Sequence, residues 1–180
     1  MGYYADFFKN PALRAIHGCL DNLTPVNAVQ ATGTLTISGV GVDGETITIG
    51  TDIYELDTDD SYTAGNIQVD ISGGATASDV VTALVAAITA SGDGTYSGAD
   101  GAGDTVDITF GTYGTTGNST ATTETMTNGA WGAATLENGV NGTPGKKGQM
   151  YQDDSYLYCC ITKDTGVTNH YWKRVAISTF

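Results

Sequence analysis

The most marked absence in this sequence is that of cationic side chains from its middle. No Lys or Arg lies between Arg14 and Lys146, and that stretch holds 16 acidic residues, from Asp21 to Glu137. The whole chain has 20 acidic against 7 basic residues, a formal net charge of −13. Because neutralising phosphates requires cations, we do not expect the chain to bind nucleic acid. Charge of a single sign keeps copies soluble and steers them towards basic surfaces.

Cysteine and histidine are scarce as well. Cys19, Cys159 and Cys160 are odd in number and two are adjacent, which is typical of neither a disulfide framework nor a zinc site. In a strand, Cys159 and Cys160 point to opposite faces. His17 and His170 are the only histidines, and no Gly-x-Ser-x-Gly motif occurs. We therefore predict a protein that is not an enzyme and has no cofactor. A small hydrolase that pairs a thiol with His170 is the alternative from the enzyme class.

Long apolar runs are missing too. No run approaches the roughly 18 apolar residues that a membrane-spanning helix needs, so we expect no membrane partner. The N-terminus lacks a basic region followed by an apolar run, so no signal peptide is expected. We predict synthesis in the cytoplasm, and action there or as part of a particle that leaves it.

The composition that is present divides the chain into three predicted segments. Residues 1–30 form an extended N-terminal arm, residues 31–142 a β-rich module with one helix, and residues 143–180 a C-terminal β-meander. The arm is too short to fold alone, so we expect it to lie on the module or on a neighbouring subunit. A high local density of large apolar groups in the arm comes from Tyr3, Tyr4, Phe7, Phe8, Leu13, Ile16 and Leu20.

The main module is predicted to be α+β and mainly β. An apolar stripe over residues 76–90, with Thr76 and Asp79 spaced as a capping box, predicts one helix that crosses a small antiparallel sheet. Alternating apolar residues predict strands over residues 34–38, 46–49, 52–56, 67–71 and 106–110.

Gly39, Gly41 and Gly44 match the spacing of a dinucleotide-binding fingerprint. That fingerprint requires a helix directly after the glycines, whereas residues 46–49 alternate as a strand does. We therefore predict a hairpin turn here that joins the first two strands.

The C-terminal segment is predicted to form three strands, over residues 148–151, 156–161 and 171–177. Three short strands are marginal alone, so this piece is expected to pack on the module or on a symmetry mate. It has 5 basic against 3 acidic residues over positions 146–180. Its basic pairs have two interpretations, solubility alone or docking on the acidic middle of the next copy. The pairs are Lys146 with Lys147, and Lys173 with Arg174.

Two acidic clusters are candidate cation sites. Asp57, Asp59 and Asp60 form one, and Asp100 with Asp104 forms the other. Hard cations such as Ca²⁺ take several oxygen ligands from a flexible loop, but the first cluster lacks the glycine and the distant glutamate of an EF-hand. We predict solvated acidic loops, with Ca²⁺ binding left open as the alternative.

The module resembles a sequence type that recurs in virion proteins of tailed bacteriophages. The stretches that carry the resemblance are GVGVDGETITIGTDIY, TAGNIQVDISGGATASDVVTALVAAITA and DGAGDTVDITFGTYGTTGNSTATTETMTNGAW. The C-terminal stretch GTPGKKGQMYQDDSYLYCCI resembles a second piece common in phage capsid-associated and fibre proteins.

The resemblance implies a repeated, multimeric structural component without catalysis. The expected function is that of a capsid decoration (cement) protein, a homotrimer that binds the major capsid protein and stabilises the lattice from the capsid surface of the virion. The arm and the two basic pairs are the predicted interface. A tail-fibre or head-fibre component that contributes to host attachment is the alternative.

Overall fold

A computed structural model describes most of the chain. The described residues are 25–74, 76–91, 94–152, 155–161 and 172–176. They form eleven strands, one α-helix and one 3-10 helix, so the predicted mainly β fold with a single helix is confirmed. They fall into two compact units, one of residues 29–140 and one of residues 25–28 together with those from 141 onwards. The predicted N-terminal arm lies almost wholly outside the described residues.

The first unit contains two four-stranded sheets. One has the order β5-β6-β1-β8 and is antiparallel, and the other has the order β4-β3-β2-β7, in which β3 and β4 are parallel. The strands are β1 (Gln30–Ile37), β2 (Thr46–Ile49), β3 (Asp52–Asp57), β4 (Ile67–Asp70), β5 (Tyr96–Asp100), β6 (Thr105–Tyr113), β7 (Thr122–Glu124) and β8 (Gly129–Trp131). The 3-10 helix is Thr115–Ser119.

The predicted hairpin between the first two strands is wrong. β1 pairs with β6 and β8, whereas β2 pairs with β3 and β7. The connection around Gly39 and Gly44 therefore passes from one sheet to the other. It is fastened by a hydrogen bond from the Val42 N–H to the Glu45 carboxylate (2.8 Å) and by one from the Gly44 N–H to the Leu56 carbonyl (2.8 Å). A strand and not a helix follows the glycines, so the structure, like the sequence, does not support a dinucleotide-binding fingerprint.

The helix α1 (Ala77–Ser91) agrees closely with the helix predicted over residues 76–90. Its capping box is formed: the Asp79 N–H donates to Thr76 Oγ1 (3.3 Å), and Asp79 Oδ2 accepts hydrogen bonds from the Thr76 N–H (3.0 Å) and hydroxyl (2.7 Å). The apolar stripe is buried at Val80, Leu84 and Ile88. The helix contacts strands of both sheets, and the inner faces of the sheets share one hydrophobic core with it.

Gly139 occupies a crowded backbone position, which yields a test of the fold. A Cβ at Gly139 would lie 2.4 Å from the Gly114 carbonyl oxygen, a backbone atom that cannot turn away. The Asn118 side chain also holds Gly139 by two hydrogen bonds, one to its carbonyl (3.0 Å) and one from its N–H (2.8 Å). We expect Gly139→Ala to lower the free energy of unfolding in urea by about 1–3 kcal/mol.

Gly73→Ala is the matched control for this substitution, because a Cβ at Gly73 meets nothing within 4 Å. We expect it to change the free energy of unfolding by no more than about 0.5 kcal/mol. Equal effects of the two substitutions would contradict the described packing of the Gly139 region.

The second unit is the predicted three-stranded meander, with antiparallel order β11-β10-β9. The side chains of Tyr158, Cys160 and Trp172 form its small core, and the Trp172 indole N–H donates to the Thr143 carbonyl (2.7 Å). As predicted, Cys159 and Cys160 differ in environment, since Cys160 is buried and Cys159 only half-buried. The strands are β9 (Met150–Gln152), β10 (Tyr156–Cys160) and β11 (Trp172–Ala176).

Candidate functional site

The predicted interface residues are only partly within the described chain. The seven apolar residues of the arm lie outside it. Lys146 and Lys147 are exposed in the turn before β9, and Lys173 and Arg174 are exposed on β11. Consecutive residues of a strand point to opposite faces, so Lys173 and Arg174 do not form one patch. The Arg174 guanidinium lies 4.3 Å from the centroid of the Tyr156 ring, a cation–π contact.

The first unit supplies no cationic side chain of its own to its acidic residues. Of the 16 acidic residues between Arg14 and Lys146, only Asp21 precedes the unit, which leaves 15, and residues 29–140 contain no Lys, Arg or His. Within the unit, a buried carboxylate can therefore be satisfied only by N–H or O–H donors or by water. The two most buried carboxylates show how this is achieved.

Glu55 and Asp57 lie on β3 and are nearly inaccessible to solvent, at 6% and 1% exposed. They alternate along the strand with Tyr54 and Leu56, which point into the hydrophobic core, so both carboxylates face the other side of the sheet. The connection between the parallel strands β3 and β4 spans only residues 58–66 and contains no helix. Parallel strands usually need a longer crossover, so this loop requires its own internal support.

The two carboxylates supply that support by accepting hydrogen bonds from the loop. Asp57 Oδ1 accepts from the N–H groups of Asp59 (3.1 Å) and Ser61 (3.2 Å), and Oδ2 accepts from the Gln68 side chain. Glu55 accepts in the same way from the Thr63 N–H (3.1 Å) and from the Asn66 side chain. We call this arrangement the carboxylate staple.

The staple shifts the pKa of both groups. Burial by itself would raise the pKa of Asp57, but hydrogen bonds from the Asp59 N–H, the Gln68 side chain and the Ser61 N–H outweigh it and hold the pKa below its ordinary value. The hydrogen bond from the Asn66 side chain, with help from Thr63, lowers the pKa of Glu55 against the opposing effect of burial. Both side chains therefore stay ionised at neutral pH.

These shifts fix the sign of a pH dependence. A carboxyl whose pKa is lower in the folded state stabilises the fold above its unfolded pKa, near 4, and this contribution is lost as the pH falls through the folded value. We expect the midpoint of thermal unfolding to stay level from about pH 7 to 5 and to fall between about pH 5 and 3. Differential scanning calorimetry measures this directly.

Ionic strength separates the staple from general repulsion. Protonation also relieves the mutual repulsion of the 15 acidic residues of this unit, which opposes the decline at low salt. At about 0.5 M salt that repulsion is screened, so the acid-induced decline should be steeper. A midpoint that rises continuously with acidification at high salt would contradict the assigned pKa directions.

One group of carboxylates has the spacing of a cation site. One oxygen from each of Asp43, Asp57 and Asp59 lies within 4.8 Å of the others. The sequence pointed to Asp57, Asp59 and Asp60 as a solvated loop, but Asp57 is buried, and Asp60 instead accepts a hydrogen bond from the Gln68 side chain (3.0 Å). Asp57 already accepts three protein hydrogen bonds, so the role that its contacts support is structural.

Asp43 is the member of this group that sequence reasoning missed. It lies 14 positions before Asp57 along the chain, and the passage between the two sheets carries it to the start of the loop. There Asp43 Oδ1 accepts hydrogen bonds from the Thr58 N–H (2.8 Å) and hydroxyl (3.0 Å). Asp100 and Asp104, the second predicted cluster, are exposed and flank the turn between β5 and β6. They do not belong to this group.

A polar pocket of about 330 Å³ opens near the start of β5. The Tyr96 hydroxyl donates to Asp52 at its wall and lies 3.0 Å from the Tyr54 hydroxyl. Burial, together with the contacts to Asp52 and Tyr54, raises the pKa of Tyr96 far above its ordinary value. The phenol is therefore a permanent hydrogen-bond donor and not a base at neutral pH. The described residues that line the pocket include no cysteine or histidine.

Comparisons with protein families, with curated proteins and with solved structures gave no match to this chain. Among the described residues, no helix combines the length and the apolar character needed to cross a membrane. The proposals that follow therefore rest on the residues of this chain and on the sequence resemblance stated above.

Proposed function

We propose that this chain is a structural protein of a tailed-phage virion that decorates the capsid by binding the lattice of the major capsid protein. The observation that carries the proposal is the segregation of charge. Residues 29–140 contain 15 acidic residues and no cation, while the exposed Lys146, Lys147, Lys173 and Arg174 all belong to the other unit. The resemblance to virion proteins supplies the class of partner.

Charge segregation of this kind suits a molecule that functions in many copies. Each copy offers an acidic unit and a C-terminal segment with a small excess of basic residues, so contacts between identical subunits can close into a ring such as a homotrimer. The acidic surface steers encounters with basic patches on a lattice more than it sets the final affinity. Because the binding energy is available only in the assembled lattice, bound copies stabilise that lattice by mass action.

Binding to particles tests the proposal. Purified protein is mixed with virions, or empty heads, that lack it, and the bound fraction is measured by co-sedimentation at about 0.05 and 0.5 M salt. We expect saturable binding that weakens at least about tenfold at the higher salt, since exposed charges are screened. Equal affinity at the two salt concentrations would contradict the electrostatic part of the proposal. Absence of binding at low salt would overturn the function itself.

The alternative, a tail-fibre or head-fibre component, has one structural observation in its favour. The pocket beside Asp52 and Tyr96 is polar and open, which is the kind of surface that a hydroxyl-rich host glycan can contact through hydrogen bonds. A glycan array probed with the purified protein tests this role. The sequence shows neither shaft repeats nor coiled-coil heptads, so decoration is the better-supported proposal.

A further inference from the structure

The three-stranded sheet of the second unit has two chemically different faces. Residues directly opposite one another in the strand pairing share a face, so Tyr151, Tyr158 and Arg174 lie together on one side. That inner face also carries Trp172 and forms the small core of the unit. The opposite, outer face carries Met150, Gln152, Leu157, Cys159, Lys173 and Val175.

The outer face is apolar, and the residues that the structure describes leave it exposed. Val175 is 68% exposed and Met150 is 41% exposed, and Ile161, which directly follows β10, is 47% exposed. Leu157 and Cys159 lie half-buried between β9 and β11 on the central strand. The only charged residue that the three strands place on this face is Lys173. A contiguous exposed patch of this kind marks an interaction surface more often than a free one.

We propose that the outer face binds the N-terminal segment, residues 1–24, of a second copy of the chain. This inference deepens the proposed self-association and rests on it. The segment has the matching chemistry, because seven large apolar residues lie within positions 3–20, while the two acidic and two basic residues of the segment cancel. Tyr and Phe suit such an anchor, since they bury much area with few rotatable bonds. The apolar residues are Tyr3, Tyr4, Phe7, Phe8, Leu13, Ile16 and Leu20.

The described residues also show where the segment joins the rest of the chain. Val26 pairs with Thr143 through two hydrogen bonds, one to the Thr143 hydroxyl (3.1 Å) and one from the Thr143 N–H (2.8 Å). The segment therefore leaves from the unit that carries the outer face. The described residues leave that face exposed, and a second copy is the occupant that the proposed self-association supplies. A contact of segment to face is heterologous, and its repetition closes into a ring such as a trimer.

Complementation between two full-length variants tests the contact. Val175→Glu places a charge on the outer face, and the double substitution Phe7→Ala/Phe8→Ala weakens the segment. Sedimentation velocity should show an oligomer for the unsubstituted chain. For each variant alone we expect a dissociation constant at least about tenfold higher, equivalent to about 1.4 kcal/mol. An equimolar mixture should form a heterodimer, because one intact segment meets one intact face.

The control is Val42→Glu, the same substitution at a comparably exposed valine (58%) in the other unit, which should leave the oligomer unchanged. Circular dichroism verifies that every variant is folded.

Several outcomes would overturn the proposal. If the unsubstituted chain is a monomer, or if Val175→Glu leaves the oligomer intact, the face is not the contact. If Val175→Glu disrupts the oligomer but Phe7→Ala/Phe8→Ala does not, two outer faces pair with each other. If both variants dissociate and their mixture does not associate, the segment and the face do not meet between copies. The virion role is tested separately by particle binding. If the protein forms the predicted oligomer but does not bind particles, the proposed virion function is wrong and the inferred contact between copies stands.

Discussion

Deletion of residues 2–20 is expected to reduce the affinity of the protein for particles at least about a hundredfold. In our proposal the segment links neighbouring copies, and a linked ring engages the lattice at several points simultaneously. Loss of this multivalency typically costs two to four orders of magnitude in apparent affinity. Co-sedimentation with particles that lack the protein measures the loss.

The deletion should leave the first unit folded, because the residues removed lie outside positions 29–140. The matched control is the full-length double substitution Lys9→Ala/Arg14→Ala, which alters the charges of the segment and keeps its apolar residues. We expect it to bind particles within about threefold of the unsubstituted chain, since exposed charges contribute little. A truncated protein that decorates particles normally would show that the segment is not needed for docking.

Substitution of Asp57 by Ala is expected to have the largest effect on stability of any change to a charged residue in the first unit. It removes the acceptor of the Asp59 and Ser61 N–H groups and leaves these two donors unsatisfied, while the Gln68 side chain keeps only its hydrogen bond to Asp60. We expect the midpoint of thermal unfolding to fall by about 10 °C. Because the lost carboxylate has a lowered pKa, the variant should also lose less stability between about pH 5 and 3.

Asp59→Ala is the matched control, since it removes the same charge two positions further along the chain and leaves the Asp59 N–H in place. The Asp59 side chain is exposed, so we expect a change in the midpoint of no more than about 2 °C. A similar loss for both variants would mean that Asp57 acts through its charge and not as a hydrogen-bond acceptor.

Much of the fold was predictable because local patterns determine it. The apolar stripe and the Thr76–Asp79 capping box define α1 without reference to the rest of the chain, and strict alternation defines β2. Strand pairing was not predictable in this way, because alternation determines which face of a strand is buried but not which strand pairs with it. For this reason the pairing of β1 with β6, and the parallel pairing of β3 with β4, did not follow from the sequence.

The carboxylate staple was harder to predict than the helix for the same reason. The sequence shows Asp57 only as one of three acidic residues in a polar run, and such runs are usually solvated. Its burial depends on a loop folding back over β3, and Asp43 joins the group through a contact between distant segments. One signal was available: residues 29–140 contain no cation, so within the unit an acidic residue on a strand can be satisfied only by N–H or O–H donors or by water.

The number of copies in each virion tests the account most directly. Quantitative mass spectrometry of purified particles, scaled to the major capsid protein, gives this number. If the protein decorates the capsid, we predict copies on the order of hundreds, because a cement protein repeats with the lattice that it binds. A handful of copies would favour a fibre, and complete absence from the particle would contradict the central claim.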